Sequence, residues 1–284
     1  MIKLINSNNK NYINKLRKFL EKRRKLDSTN SKIVFNIIKD IKNNKYEALL
    51  KYEKKFSKNS KIIPTKEEIN KSIKSLDPRV KKAIDFAYNR IKKFHFEQKK
   101  NLKDIIYTDK YKNKLQYKIV PIRSVGIYVP GNLPSTLLMN AIPAKLANVK
   151  RLVLATPKLN GKMNPAVLYV AKKVGIDKIF CMGGVQAIAS LAFIQKVDKI
   201  VGPGNQFVAE AKRQLSAKIV GTESMFAGPS EICVLADKKT KINQITTSLV
   251  SQAEHDIGSQ CILVTKDKNI IPKVKSDIKK ILRS

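Results

Sequence analysis

Tryptophan is absent, and 284 residues hold only two histidines, three cysteines and eleven glycines. So few histidines and cysteines exclude a zinc-finger or disulfide framework. Cys181, Cys233 and Cys261 are odd in number, show no CxxC spacing and lie in short β-like runs, so they read as buried thiols of a reducing cytoplasm. No apolar run is long enough to span a membrane, and Met1-Ile2-Lys3-Leu4-Ile5-Asn6 lacks the apolar core of a signal peptide, so a cytoplasmic location is expected. No GxGxxG occurs. Acidic residues are scarce: 22 against 58 basic ones, a net charge of +36. That excess is mostly lysine spread along the chain, with aromatics at 7%. A nucleic-acid reader would concentrate its charge, favour arginine and interleave aromatics, so specific nucleic-acid binding is not expected. The densest runs, Lys15-Leu16-Arg17-Lys18 and Glu21-Lys22-Arg23-Arg24-Lys25, alternate with Leu16, Phe19, Leu20 and Leu26 as solvated faces of amphipathic helices do.

What is present is enough chain for a large core and two domains. Residues 1 to about 105 read as helical, with a break at Pro64-Thr65 and a fresh start at Asp77-Pro78. His95 falls within that last helix. From Tyr117 the pattern changes to strands separated by helices. Strands are expected at 117–122, 125–129, 151–155, 179–182, 199–201, near 218–220, at 232–236 and at 261–265. The helices between them cover 135–147, 165–174, 185–193, 207–215 and 243–255. This alternation predicts an α/β fold of Rossmann-like, doubly wound parallel sheets with a helical N-terminal region. Residues 1–120 are read as that region with the first part of one domain, 121–236 as a Rossmann-like domain, and 237–284 as a return to the first. Residues 273–284 predict a helix without the strand expected to follow, so the chain reads as cut short.

Open α/β sheets bind ligands at the carboxyl ends of their strands. Four turns are candidates there: Tyr128-Val129-Pro130-Gly131-Asn132, Gly183-Gly184-Val185-Gln186, Gly202-Pro203-Gly204-Asn205 and Ala227-Gly228-Pro229-Ser230-Glu231. Glycine lets backbone N–H groups approach a ligand, and Gln186 and Asn205 add amides suited to a nucleotide. Any one of these turns is equally explained as a tight connection. Gln252 and His255, three apart on a helix, present an amide oxygen and an imidazole on one face, half of a metal site. On spacing alone, an ordinary helix-end histidine is the simpler reading of His255.

Taken in order, several blocks resemble the histidinol dehydrogenase family. They are Val125–Gly131, Leu138-Met139-Asn140-Ala141-Ile142-Pro143-Ala144, Gly183–Ala189, Lys196–Asn205, Ala227–Glu231 and Ser251-Gln252-Ala253-Glu254-His255. The resemblance covers most of residues 15–270. It implies a zinc- and NAD-dependent, four-electron oxidation of L-histidinol to L-histidine through histidinal, in intertwined homodimers. It places NAD on residues 121–236, with Tyr128, Gln186 and Asn205 as its contacts. Ser230, Gln252 and His255 would meet the substrate, and Gln252 and His255 the zinc. The family's catalytic Glu-His pair and its remaining aspartate and histidine zinc ligands are expected beyond Ser284, the last histidine from a partner subunit. The chain alone is therefore expected to be inactive. The loops after Gly131 and before Lys196 are shorter than the family's usual ones. Alternatives are a non-catalytic nucleotide-binding relic, one half of a split enzyme, and a lysine-rich nucleic-acid binder.

Overall fold

The computed structural model describes residues 3–21, 28–176, 178–216, 218–223, 231–254 and 259–282. Of the candidate residues, Ser230 and His255 lie outside them, as do Leu26 and the basic run 22–25. The chain forms two compact units, residues 28–226 and residues 1–27 with 227–284.

The larger unit is built on five parallel strands: β3 (Ser124–Tyr128), β4 (Arg151–Ala155), β5 (Lys178–Phe180), β6 (Lys199–Val201) and β7 (Gly221–Thr222). Their spatial order is β5-β4-β3-β6-β7. The order reverses between β3 and β6, which creates a switch point at that pair. Successive residues of these strands face opposite sides, and both sides are buried. Val125, Ile127, Val129, Leu152 and Leu154 enter one core, while Tyr128, Val153 and Ala155 enter the other. The first core is roofed by α4 (Pro78–Lys100), α5 (Pro134–Leu146) and α6 (Pro165–Val174), with α3 (Lys66–Lys74) against α6. The second is roofed by α7 (Gly184–Phe193) and α8 (Gln206–Leu215), over which α2 (Ser28–Ser57) packs.

The helix starts follow from local chemistry. Thr65 and Glu68 form a reciprocal capping box on α3, Asp77 caps α4 ahead of Pro78, and Asn164 caps α6 ahead of Pro165. Gly175 ends α6 in the left-handed conformation (φ 68°). His95 sits within α4, its Nδ1 2.6 Å from Gln98 Oε1.

Two expected strands need correcting. The strand placed at 117–122 is instead Lys114–Tyr117, β2, paired antiparallel with β1 (Ile105–Thr108). The whole hairpin is exposed, so no burial pattern marked it. The strand placed near 218–220 is the short β7, preceded by a bridge between Ser216 and Val220.

The smaller unit holds α1 (Tyr12–Glu21), β8 (Glu231–Ala236), α9 (Ile242–Ala253), β9 (Gln260–Thr265) and α10 (Ile270–Ile281). β8 and β9 pair in parallel across the α9 crossover. Ile232, Val234, Cys261 and Leu263 pack with Ile245 and Leu249 of α9 and with Ile270 and Val274 of α10. The opposite face of the pair is bare among the described residues: Leu235 and Val264 are exposed. Cys233 shares that face, which corrects the expectation that all three cysteines are buried: Cys233 is exposed and Cys261 half-buried. Among the described residues no helix is long and apolar enough to cross a membrane.

Candidate functional site

The carboxyl ends of β3 and β6 bring three of the four candidate turns together. Gly202, directly after β6, has φ +112°, and a side chain there would overlap the Tyr128 carbonyl oxygen. Only glycine permits that approach. The Gly184 N–H donates to the Tyr128 hydroxyl oxygen at 3.3 Å. Gly183 lies against Pro157, as does Gly131, where a side chain would come within 2.7 Å of the Pro157 carbonyl oxygen. Tyr128, Gly183–Gly184 and Gly202 are thus contiguous at the switch point.

The predicted residues differ in what they offer a ligand. Tyr128 is 6% exposed, and burial pushes its phenol above the usual range. Asn205 is exposed, and its Oδ1 accepts the N–H groups of Phe207 and Val208 at 3.2 and 3.1 Å, capping α8. Its side-chain nitrogen is turned to no partner recorded among the described residues. Gln186 is 2% exposed, and its Nε2 donates to the carboxylate of Glu53 at 2.9 Å. Glu53 Oε1 also takes the Gly183 N–H at 2.8 Å. The first amides of α7 are therefore already engaged, by Glu53 and by Tyr128. By contrast α5, which follows the Gly131 turn, starts with no side-chain cap.

Sequence inspection missed Glu53 and Lys212. Glu53 sits in Lys51-Tyr52-Glu53-Lys54-Lys55, which reads as a solvated helix face, yet it is fully buried. Burial raises its carboxyl above the usual carboxylate range, against the lowering effect of Gly183 and Gln186. Lys212 of α8, 2% exposed, donates to the Gly202 carbonyl and to Glu223 Oε1, the latter at 2.5 Å. Burial lowers its ammonium pKa, opposed by Glu223. It clamps the β6 turn to the residue that follows β7.

Cys181 follows β5 but is buried beneath this edge, and burial pushes its thiol up to about 11. At neutral pH it carries almost no thiolate, so it is a structural thiol. Shallow depressions of about 480 and 650 Å³ lie elsewhere, the first along α10 and the second beside Lys196–Asp198 at the amino ends of the strands.

In the smaller unit Gln252 lies in the last turn of α9, half-buried. Its side-chain nitrogen is buried without a hydrogen-bond partner among the described residues. The two ends of an amide exchange by a half-turn, so the same position accepts an oxygen whose lone pair is free for a cation. The donor therefore fits a zinc ion. No three His, Cys, Asp or Glu side chains converge on a common point among the described residues.

The fold and this edge define a doubly wound α/β protein with three glycine turns gathered at its switch point. The family model described as "Histidinol dehydrogenase" matches residues 20–284. The chain is 54% identical over 285 residues to histidinol dehydrogenase of Pelagibacter ubique, covering 98% of this chain and 66% of that protein. It is 45% identical to that of Campylobacter jejuni, covering 87% and 59%. The crystal structure of histidinol dehydrogenase from Elizabethkingia anophelis superposes with a TM-score of 0.74 at 39% identity, covering 89% of this chain and 60% of that one. The chain belongs to the histidinol dehydrogenase family, a family of oxidoreductases of histidine biosynthesis. It spans somewhat under two thirds of the length of these relatives.

Proposed function

We propose that this chain serves the zinc- and NAD-dependent oxidation of L-histidinol to L-histidine through histidinal. The observation that carries this reading is the convergence of Tyr128, Gly183–Gly184 and the Gly202–Asn205 turn at the switch point between β3 and β6. When bound, NAD would supply the hydride acceptor and zinc a Lewis acid for the substrate.

The chain's own groups would divide the work. Asn205 presents its side-chain nitrogen as a donor, because its oxygen is committed to the α8 cap. Gln186 commits its nitrogen to Glu53, which leaves its carbonyl oxygen as an acceptor beside Gly184. Tyr128 closes the crevice floor with its ring and holds Gly184. Gln252 and His255 would hold zinc and, with Ser230, the substrate. The family's Glu-His acid/base pair is not among these assignments, so a polypeptide of these 284 residues is expected to bind without turning over. A second copy of the chain is the proposed partner: both faces of the β1–β2 hairpin are uncovered, with Ile105, Ile106, Tyr107, Leu115 and Tyr117 all exposed. A lone two-stranded hairpin of this kind is marginal in water.

Calorimetric titration of NAD tests the reading. Saturable binding that weakens on Asn205→Ala is expected; no binding at millimolar NAD would remove it. With zinc added, L-histidinol binding should be lost in His255→Ala. NADH release from L-histidinol by the purified polypeptide would overturn the expected lack of turnover.

A further inference from the structure

Glu53 is the most deeply buried carboxyl group among the described residues, with no exposed surface. It projects from α2, an element with no candidate site residue, into the base of the crevice. Its Oε1 accepts from two donors, the Gly183 N–H at 2.8 Å and Gln186 Nε2 at 2.9 Å. Gly183 offers α7 no side-chain cap of its own, so Glu53 caps the helix from 130 positions upstream. The next amide, Gly184 N–H, is held by Tyr128.

The main chain of Glu53 is itself braced, while its second carboxylate oxygen, Oε2, is buried with no hydrogen-bond partner among the described residues. The Asn59 N–H donates to the Glu53 carbonyl at 3.2 Å, and Asn59 Nδ2 donates to the Cys181 carbonyl at 2.7 Å. Lys158 Nζ donates to Asn59 Oδ1 at 3.0 Å. These bonds tie the main chain at the end of α2 to residues after β5 and β4, and Cys181 lies two residues before Gly183. A buried acceptor shared by a turn amide and a side-chain amide fixes the direction of both. If both donors rotate away, Oε1 is left buried and unsatisfied, which is costly.

We propose that Glu53 is a positioning residue for the dinucleotide: without touching it, Glu53 fixes the Gly183–Gly184 turn and turns the Gln186 carbonyl oxygen toward the ligand. This rests on the NAD reading above. A purely structural Glu53 would act on stability and leave affinity alone.

A double-mutant cycle on NAD affinity separates the two, with Glu53→Leu, Gln186→Leu and the pair, and Glu53→Gln as the conservative variant. Glu53→Gln keeps an acceptor oxygen for both donors and should bind within about twofold of the unsubstituted protein, whereas losing one or two hydrogen-bond restraints in Glu53→Leu should weaken binding about five- to tenfold. On a Gln186→Leu background, Glu53→Leu should cost less than it does alone, because only its hold on the Gly183–Gly184 turn is left to lose. Circular dichroism confirms that each variant is folded. Should Glu53→Leu fail to fold, Glu53→Ala and Glu53→Gln carry the comparison. Unchanged NAD affinity in a folded Glu53→Leu or Glu53→Ala protein, with Gln186→Leu impaired, overturns this proposal alone. Full additivity of the two losses also overturns it. Absence of NAD binding by the unsubstituted protein overturns the NAD reading and this one with it.

Discussion

Gly202→Ala should be among the most damaging single-methyl additions in the chain. Two costs combine. The first is conformational: φ +112° is a region L side chains rarely enter, a penalty of about 1–3 kcal/mol. The second is steric: the new carbon would overlap the Tyr128 carbonyl oxygen and lie 3.0 Å from the carbonyl carbon, at the end of the central strand. Neither group is the free end of a flexible side chain, so relief requires β3 and β6 to part, and overpacking of this kind costs about 1–3 kcal/mol more. The sum, about 2–6 kcal/mol, lowers the melting temperature by about 4–24 °C in a domain of this size. Gly161→Ala is the control. Gly161 has φ +74°, and its side-chain position is empty to 4 Å, so it carries the conformational cost without the clash. Thermal and urea unfolding of both variants, followed by NAD titration, compares them directly. If Gly202→Ala loses no more stability than Gly161→Ala, the close approach that builds the crevice is not what the glycine is for.

Three more outcomes are expected. Glu210 of α8, drawn down to about 2 by Arg213 and also bonded to Gln214 and Ser31, has a folded pKa below its ordinary 4.5. Its contribution is present above pH 4.5 and is lost as pH falls toward 2; discounted for the half-exposed Arg213, it amounts to about 1–3 kcal/mol, so Glu210→Gln should flatten the acid limb of stability in urea melts at stepped pH. Asn205→Asp keeps the α8 cap and Asn205→Ala removes it, at about 1 kcal/mol. Both lose the side-chain nitrogen, so equal losses of NAD affinity with unequal melting temperatures would support the ligand role, and unchanged affinity in Asn205→Asp would refute it. If a second copy docks on the hairpin as proposed, Ile106→Lys and Leu115→Lys should lower the dimer fraction in analytical ultracentrifugation; a distribution unmoved by both would clear the hairpin of that role.

The strands and most helices were legible because their signals are local. Val125–Val129 reads as a run buried on both sides, and Asn164-Pro165 or Thr65 with Glu68 announce helix starts within four residues. The hairpin of β1 and β2 was not, since exposed strands carry no alternation. The exposure of Cys233 was not, since an apolar β-like run does not say which of its faces is covered. In the site, the turns were visible as glycine clusters, but their contacts were not. Gln186 looked like a free amide, and its engagement depends on a glutamate far upstream that composition disguises as surface. Lys212, one basic residue in a lysine-rich chain, had nothing to mark it as buried.

Asp198 anchors the other end of the strands that lead into the glycine turns. Its carboxylate, held below its usual range by Ser124 and Arg123, accepts the Ser124 N–H at 2.8 Å and the Ser124 hydroxyl at 2.6 Å. β3 and β6 are thereby riveted at their amino ends, away from the turns that would meet a ligand. The sheet works like a clasped fan, pinned at the handle and open at the rim. Turns at the rim can be trimmed or re-sequenced without unthreading the register that the rivet keeps.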